Sequence, residues 1–309
     1  MLFAQFKHQR RRNDIAGRIF VVLSFLGVVF ATAGCGGEKD NATKPTTRKP
    51  VSTTNSAKGS KETTPTKPTT RKPKKNIVKK TATGTLTGTI VFDGAVPKLE
   101  PLVKKGDQKV KNPKVCSNHA VPNESLLVNE NNKGIQNVFV YLRRAPKGVS
   151  IPQPGDPVVL DQQNCRFKPH ASVVRSEQII LVKSEDDATH NIHTFPSRNL
   201  SFNQSMSGRN RKGVSLICES SEVVPMKIKC DIHSWMEAYI LPLDHPFGTL
   251  TNSDGRFEIK GLPVGKHKIR IWHERAGYLS DKKGYEFEIR ENETTNISLK
   301  FSAEKFGGS

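Results

Sequence analysis

Three chemically active side chains lie within seven residues of one another: Cys230, His233 and Met236, in the run Cys230-Asp231-Ile232-His233-Ser234-Trp235-Met236. Forty residues before Cys230 stands a further imidazole, His190, in Thr189-His190-Asn191-Ile192-His193. A thiolate, two imidazoles and a thioether are the donor set of a copper site suited to electron transfer, with a trigonal plane of two His and one Cys and a weak axial Met. The run 224–230 (Val-Pro-Met-Lys-Ile-Lys-Cys) alternates, which places Val224, Met226, Ile228 and Cys230 on one face of a strand. Cys230 then ends a strand with its sulfur inward, and the short loop after it delivers His233 and Met236 to the same point. His193 lies three residues beyond His190 and faces the other side of an extended chain, so His190 is the candidate ligand. The competing reading is that Cys230, His233 and Met236 only fill the edge of a β-sandwich.

The pattern Cys-x2-His-x2-Met, preceded by a His-Asn pair that follows the acidic turn Glu185-Asp186-Asp187, resembles the cupredoxins, and its short ligand loop is most similar to that of amicyanin. The resemblance covers residues 158–241 and takes in Phe167-Lys168-Pro169-His170 as a strand. It implies one type 1 copper per chain, held by His190, Cys230, His233 and Met236. It also implies that Asn191 helps hold the ligand loops together and that His233 is a surface electron port, with Ser234 and Trp235 in a docking rim for a redox partner protein. Read as sequence alone, Asp186 and Asp187 are most simply solvated turn residues.

The elements that must position these residues are short and β-like. From Thr83 onward, apolar runs alternate with Gly, Pro, Asn and Asp. The candidates are 84–92, 135–142, 172–182, 214–218, 223–230 and 238–243, with no long amphipathic helical period and a polar loop expected over 198–212. Many short strands with turn signals argue for an all-β fold, here a cupredoxin-like Greek-key sandwich over 83–243 with its core at 155–243. Residues 249–265 and 268–274 carry an Asp254-Gly255 turn, Phe257 and Gly261-Leu262-Pro263-x-Gly265. They resemble the carboxypeptidase-regulatory-like module, a smaller transthyretin-like β-sandwich, expected over 244–301. Such modules begin with strands similar to 84–96 and 138–142, so 84–145 could complete the module and leave the cupredoxin-like unit inserted within it. His267 and His273 are read as ordinary strand residues.

The net charge of +20 is unevenly spread: residues 1–80 hold 18 Lys/Arg against 4 Asp/Glu. Nucleic acid is a poor partner for this basicity, because the basic stretch has no recognition helix, zinc finger or stacking aromatics. A cationic start (Lys7, Arg10, Arg11, Arg12, Arg18) and a 13-residue apolar run over 19–31 form an export signal, too short for a membrane span of about 20 residues. Ala31-Thr32-Ala33-Gly34-Cys35 resembles a bacterial lipobox with Thr32 in place of the usual Leu. The resemblance implies lipidation of Cys35 and a signal segment at 1–35; ordinary cleavage after the small residues is the alternative. Residues 36–82 read as a disordered basic tether that repeats Thr-Lys-Pro-Thr-Thr-Arg-Lys-Pro at 43–50 and 66–73. The chain is therefore expected to be an extracytoplasmic protein anchored at a membrane.

With Cys35 and Cys230 assigned, Cys116, Cys165 and Cys218 remain. Cys116 and Cys165 could form a disulfide in an oxidising compartment, while Cys116-x2-His119 and Cys165-x4-His170 are also spacings that could bind a second metal. The chain has no nucleophile elbow, phosphate loop, dinucleotide fingerprint or zinc-protease helix, so no enzyme is expected. The functions to separate are single-electron transfer, copper storage or delivery, and non-redox surface binding. The complete His/Cys/His/Met set with its single Cys favours the first, and a chain with 4 Met lacks the Met-rich runs of a copper carrier.

Overall fold

The computed structural model describes residues 82–307; the expectations for the signal segment, Cys35 and nearly all of the tether lie outside the described residues. Among those described, the chain is built of strands, with one helical turn, α1 (Pro113–Cys116), and a 3-10 turn at Ala303–Phe306. No described helix is long and apolar enough to cross a membrane.

The strands form two sandwiches. In the first, β1 (Thr83–Asp93) lies between β13 (Arg256–Pro263) and β17 (Thr294–Ser302), antiparallel to the former and parallel to the latter. The facing sheet runs β12 (Gly248–Leu250), β2 (Phe139–Leu142), β14 (Gly265–His273) and β15 (Gly277–Tyr278), with β16 (Tyr285–Ile289) also paired to β14. Leu86, Ile90, Val140, Leu142, Phe257, Ile269 and Ile289 are buried between these sheets. In the second sandwich, one sheet runs β5 (Ala171–Arg175), β11 (Glu237–Leu243), β10 (Met226–Lys229), β7 (His190–Phe195) and β8 (Asn203–Met206). The other runs β4 (Phe167–Lys168), β3 (Val158–Gln162), β6 (Ile179–Ser184) and β9 (Val214–Ile217). Leu160, Phe167, Val182, Ile192, Ile228 and Cys230 fill the space between them.

The first two strands of the chain therefore pair with the C-terminal strands, and the second sandwich is inserted between β2 and β12. Of the two divisions expected, the structure has the nested one: β1 and the inward side of β2 share a core with 247–306, and from 83–142 only Val115 and Cys116 pack into the core that holds Cys230. The reason is visible in β2, all of whose side chains are buried. Val140 and Leu142 face the first core, while Phe139 and Tyr141 pack with Tyr239, Leu241 and Leu243 of β11 in a third cluster that joins the sandwiches. Each such side chain removed from water contributes about 1.5–3 kcal/mol.

Other expectations shift locally. The expected strand at 135–142 shortens to Phe139–Leu142, and that at 167–170 to Phe167–Lys168. Within 198–212, expected as loop, residues Asn203–Met206 form an edge strand against β7, and Met206 is buried opposite His190. The run has polar side chains because only Met206 faces inward. The Asp254-Gly255 turn forms as expected: Gly255 has φ 71°, and a Cβ there would strike the Ile90 carbonyl and the Gly134 backbone.

Candidate metal centre

Cys230 follows β10, whose alternation buries Met226, Ile228 and Cys230 while Lys227 and Lys229 reach the water. A tight turn follows: the Met236 N–H donates to the His233 carbonyl (2.9 Å) and the Cys230 N–H to the Met236 carbonyl (3.1 Å). His190 begins β7, which pairs with β10. These elements bring three donors together. The two Nδ1 atoms of His190 and His233 are 3.0 Å apart, and Cys230 Sγ lies 4.0 Å from the first and 3.7 Å from the second. All three side chains are buried, and Met236 lies fully buried in the same core.

The remote ring nitrogens are engaged. His190 Nε2 donates to Asp186 Oδ2 (3.0 Å), and His233 Nε2 donates to Asn112 Oδ1 (3.0 Å). With both Nε2–H groups engaged outward, the two Nδ1 atoms and the sulfur converge on one point, and each Nδ1 that lacks a proton presents a lone pair there. Such an arrangement is repulsive unless a cation or a shared proton sits there, and its donors suit copper. Burial works against a Cys230 thiolate, yet the two imidazoles and the backbone N–H groups of Asn191 and His233 outweigh it and bring the thiol down to about 6. Cys218, buried near Glu222, is pushed up to about 11. Of the two free described thiols, only Cys230 is shifted toward the thiolate.

Asn191 spans the ligand loops: its N–H points at Cys230 Sγ (3.5 Å), its Oδ1 accepts from the Asp231 N–H (2.6 Å), and its Nδ2 donates to Asp231 Oδ2 (2.7 Å). His193 is on the other face, bonded to Asp231.

Two groups at the site were not legible as such. Asp186, read as a solvated turn residue, is buried; it accepts from the backbone N–H of Asn164 (2.6 Å) and Cys165 (2.8 Å) as well as from His190. Only its neighbour Asp187 is the exposed member of that pair. Asn112 comes from the long connection 94–138 of the other sandwich. The usable signal for Asp186 was its place four residues before His190; for Asn112 there was only its proximity to Cys116.

One expectation is corrected. His233 is fully buried, covered by Asn112, and does not reach the surface as a port. Trp235 packs edge-on against the His233 ring at 5.2 Å, is partly exposed, and donates from Nε1 to the Cys165 carbonyl (3.1 Å). With Ser234 it lines a cleft of about 280 Å³ that also contains Arg166, His170, Glu237 and Glu274. Cys116 and Cys165 form a disulfide, so neither offers a thiolate to a second metal; His119 is exposed and His170 bonds Glu274.

No family model matches this chain, and no curated protein matches it. Among solved structures, a copper-containing nitrite reductase from Thermus scotoductus SA-01 aligns at 14% identity and a TM-score of 0.26, over 32% of this chain and 25% of that one. A purple cupredoxin from Nitrosopumilus maritimus aligns at 13% and 0.24, over 29% of this chain and 100% of that one. Amicyanin from Paracoccus versutus aligns at 11% and 0.24, over 34% and 97%. The chain spans about a quarter of the nitrite reductase, and likeness at this level does not bear on function.

Proposed function

We propose that His190, Cys230 and His233, with Met236 buried in the same core, would hold one copper ion and that the chain carries single electrons. The observation that carries this reading is the convergence of two Nδ1 atoms and an acidified thiol on one buried point, with both remote nitrogens already occupied. Bound there, copper would supply a one-electron redox couple, and the Met236 thioether and the Asn191 N–H directed at the sulfur would tune its potential. The protein's own part is orientation and exclusion of water. Asp186 and Asn112 fix the imidazole tautomers, the Asn191 N–H engages the sulfur, and the two cores keep the ligands in one geometry, so little reorganisation accompanies electron transfer.

His233 is covered, so the electron route to a redox partner protein runs through Trp235 and the cleft it lines. The Cys116–Cys165 disulfide supports an oxidising, extracytoplasmic setting. The export signal, lipobox-like Cys35 and basic tether support anchorage at a membrane, where the tether would widen the volume in which partners are met. Storage or delivery of copper is less well served by a site closed on all sides.

The test is titration of the folded chain with Cu(II). One equivalent should produce an intense visible copper–thiolate absorption, and Cys230→Ser should abolish it. Copper uptake with the band intact in Cys230→Ser would remove the ligand assignment.

A further inference from the structure

Asn112 belongs to an excursion of the first sandwich that closes on itself and lies over the metal loop. Its ends are paired: the Leu102 N–H donates to the Val121 carbonyl, the Val121 N–H to Val103, and the Gly106 N–H to Ser117. At its tip, the Asn112 carbonyl accepts from the Val115 and Cys116 N–H groups, so the turn that holds Asn112 is the turn that carries Cys116. Cys116 is bonded to Cys165. Cys165 in turn holds Asp186 with its N–H and Trp235 with its carbonyl. One covalent link therefore fastens the partners of both imidazoles and the indole beside them.

The backbone at the tip points the same way. Asn112 is left-handed (φ 54°, ψ 54°) and precedes Pro113, a combination that is conformationally unfavourable even for Asn. Its side chain is not spent on capping the helical turn, since α1 has no side-chain cap. It is turned to His233 Nε2 instead. A Gly would meet the backbone requirement alone; the amide oxygen is what His233 uses.

We propose that residues 102–121 form a disulfide-fastened cap over the metal loop, and that Asn112 is a positioning residue: it holds the Nε2–H tautomer of His233, so that Nδ1 faces Cys230, and closes the water path to that ring. This rests on the reading of His190, Cys230 and His233 as metal ligands, but it concerns the chain's own closure and is measurable without metal.

The experiment uses the metal-free full chain and two readouts: the His233 tautomer by nitrogen NMR, assigned with His233→Gln, and the rate at which iodoacetamide alkylates Cys230, resolved by peptide mass spectrometry. Asn112→Gly keeps the backbone conformation and removes the amide. It should shift His233 toward a mixture of tautomers and speed alkylation about fivefold, the population change that one net hydrogen bond carries. Asn112→Asp restores an acceptor and should return both readouts toward wild type. Cys116→Ser/Cys165→Ser should accelerate alkylation at least as much as Asn112→Gly. If Asn112→Gly leaves both the tautomer and the alkylation rate within twofold of wild type, the cap is not what positions His233 and the proposal is overturned. Wild-type protein that shows the protected tautomer and thiol but gives no copper–thiolate band with Cu(II) would instead keep the cap and remove the copper reading.

Discussion

Asp186→Asn separates a carboxylate that serves the metal site from one that merely clamps a turn. In the structure, Oδ2 accepts from His190 Nε2 and the Cys165 N–H, and Oδ1 accepts from the Asn164 N–H. An Asn has one carbonyl oxygen. If that oxygen takes the Oδ2 position, the amide NH2 faces the Asn164 N–H; reversed, it faces both Cys165 and His190. At best two of three bonds survive, and an unsatisfied buried N–H costs about 1–3 kcal/mol of stability. The negative charge is also lost. Burial opposes protonation of His190, yet Asp186 and Cys230 hold its pKa above the ordinary value. Without the carboxylate, the Nδ1–H tautomer, which cannot bind a metal at that nitrogen, gains population. Loss of such an outer partner should weaken copper affinity about 10–100-fold, or roughly 1.4–2.8 kcal/mol. The assay is competition with a chelator of known affinity, run where urea unfolding shows the variant to be fully folded. Asp187→Asn is the control, since Asp187 is exposed and bonds Arg209. Affinity within twofold of wild type, beside a clear loss of stability, would show that Asp186 only holds the turn.

Two further outcomes are expected. The Cys116–Cys165 bond joins residues 49 apart, and loop-closure entropy gives about 4 kcal/mol for a link of that span; urea unfolding of Cys116→Ser/Cys165→Ser should show a loss approaching this, and a loss under about 1 kcal/mol would mean the unfolded chain is already restricted there. Burial opposes protonation of His170, but the hydrogen bond and charge of Glu274, with Glu124 adding to them, hold its pKa above the ordinary 6.5. Its stabilisation is therefore complete below 6.5 and fades as pH rises through the folded value, so the stability difference between wild type and Glu274→Gln should be largest in mild acid and shrink toward alkaline pH. A difference independent of pH would mean the pair is a neutral hydrogen bond.

What the sequence disclosed about the site depended on how locally each part is encoded. Cys230 and His233 lie on one strand end and one turn, so alternation and spacing were enough to bring them together, and Met236 is buried in the same core. His190 and Asn191 were legible through their resemblance to the cupredoxin His-Asn pair, and the structure places them on a strand that pairs with the Cys230 strand. Asn112 lies 121 residues from the His233 it touches, and Asn-Pro reads as a generic turn until the loop is seen to cross to another sandwich. The burial of His233 was hidden for the same reason: Trp235 is near it in sequence, but the group over Nε2 is the distant Asn112. The all-β class followed from short alternating runs, but strands at sheet edges did not, because Asn203–Met206 has a single inward side chain and carries no alternation to detect. The nested order of the two sandwiches was present in the sequence as one of two options. It is decided by the pairing of β1 with β13 and β17, a long-range register that local pattern does not encode.

That nesting makes the candidate metal centre a product of both sandwiches. The inserted strands supply His190, Cys230, His233 and Met236, while the outer sandwich supplies Asn112 and Cys116 through the connection between its first two strands. The inserted unit by itself would have an uncovered imidazole, an unpaired Cys165 and a Trp235 held only by a backbone segment that has lost its covalent anchor. The shared cluster of Phe139, Tyr141, Tyr239 and Leu241 fixes the two sandwiches against each other, and this rigidity is what lets a loop from one of them hold a 3.0 Å hydrogen bond to a ring in the other. On the proposed reading, the first sandwich therefore contributes to the site as well as to stability: it covers His233 and leaves Trp235 as the partly exposed ring beside it.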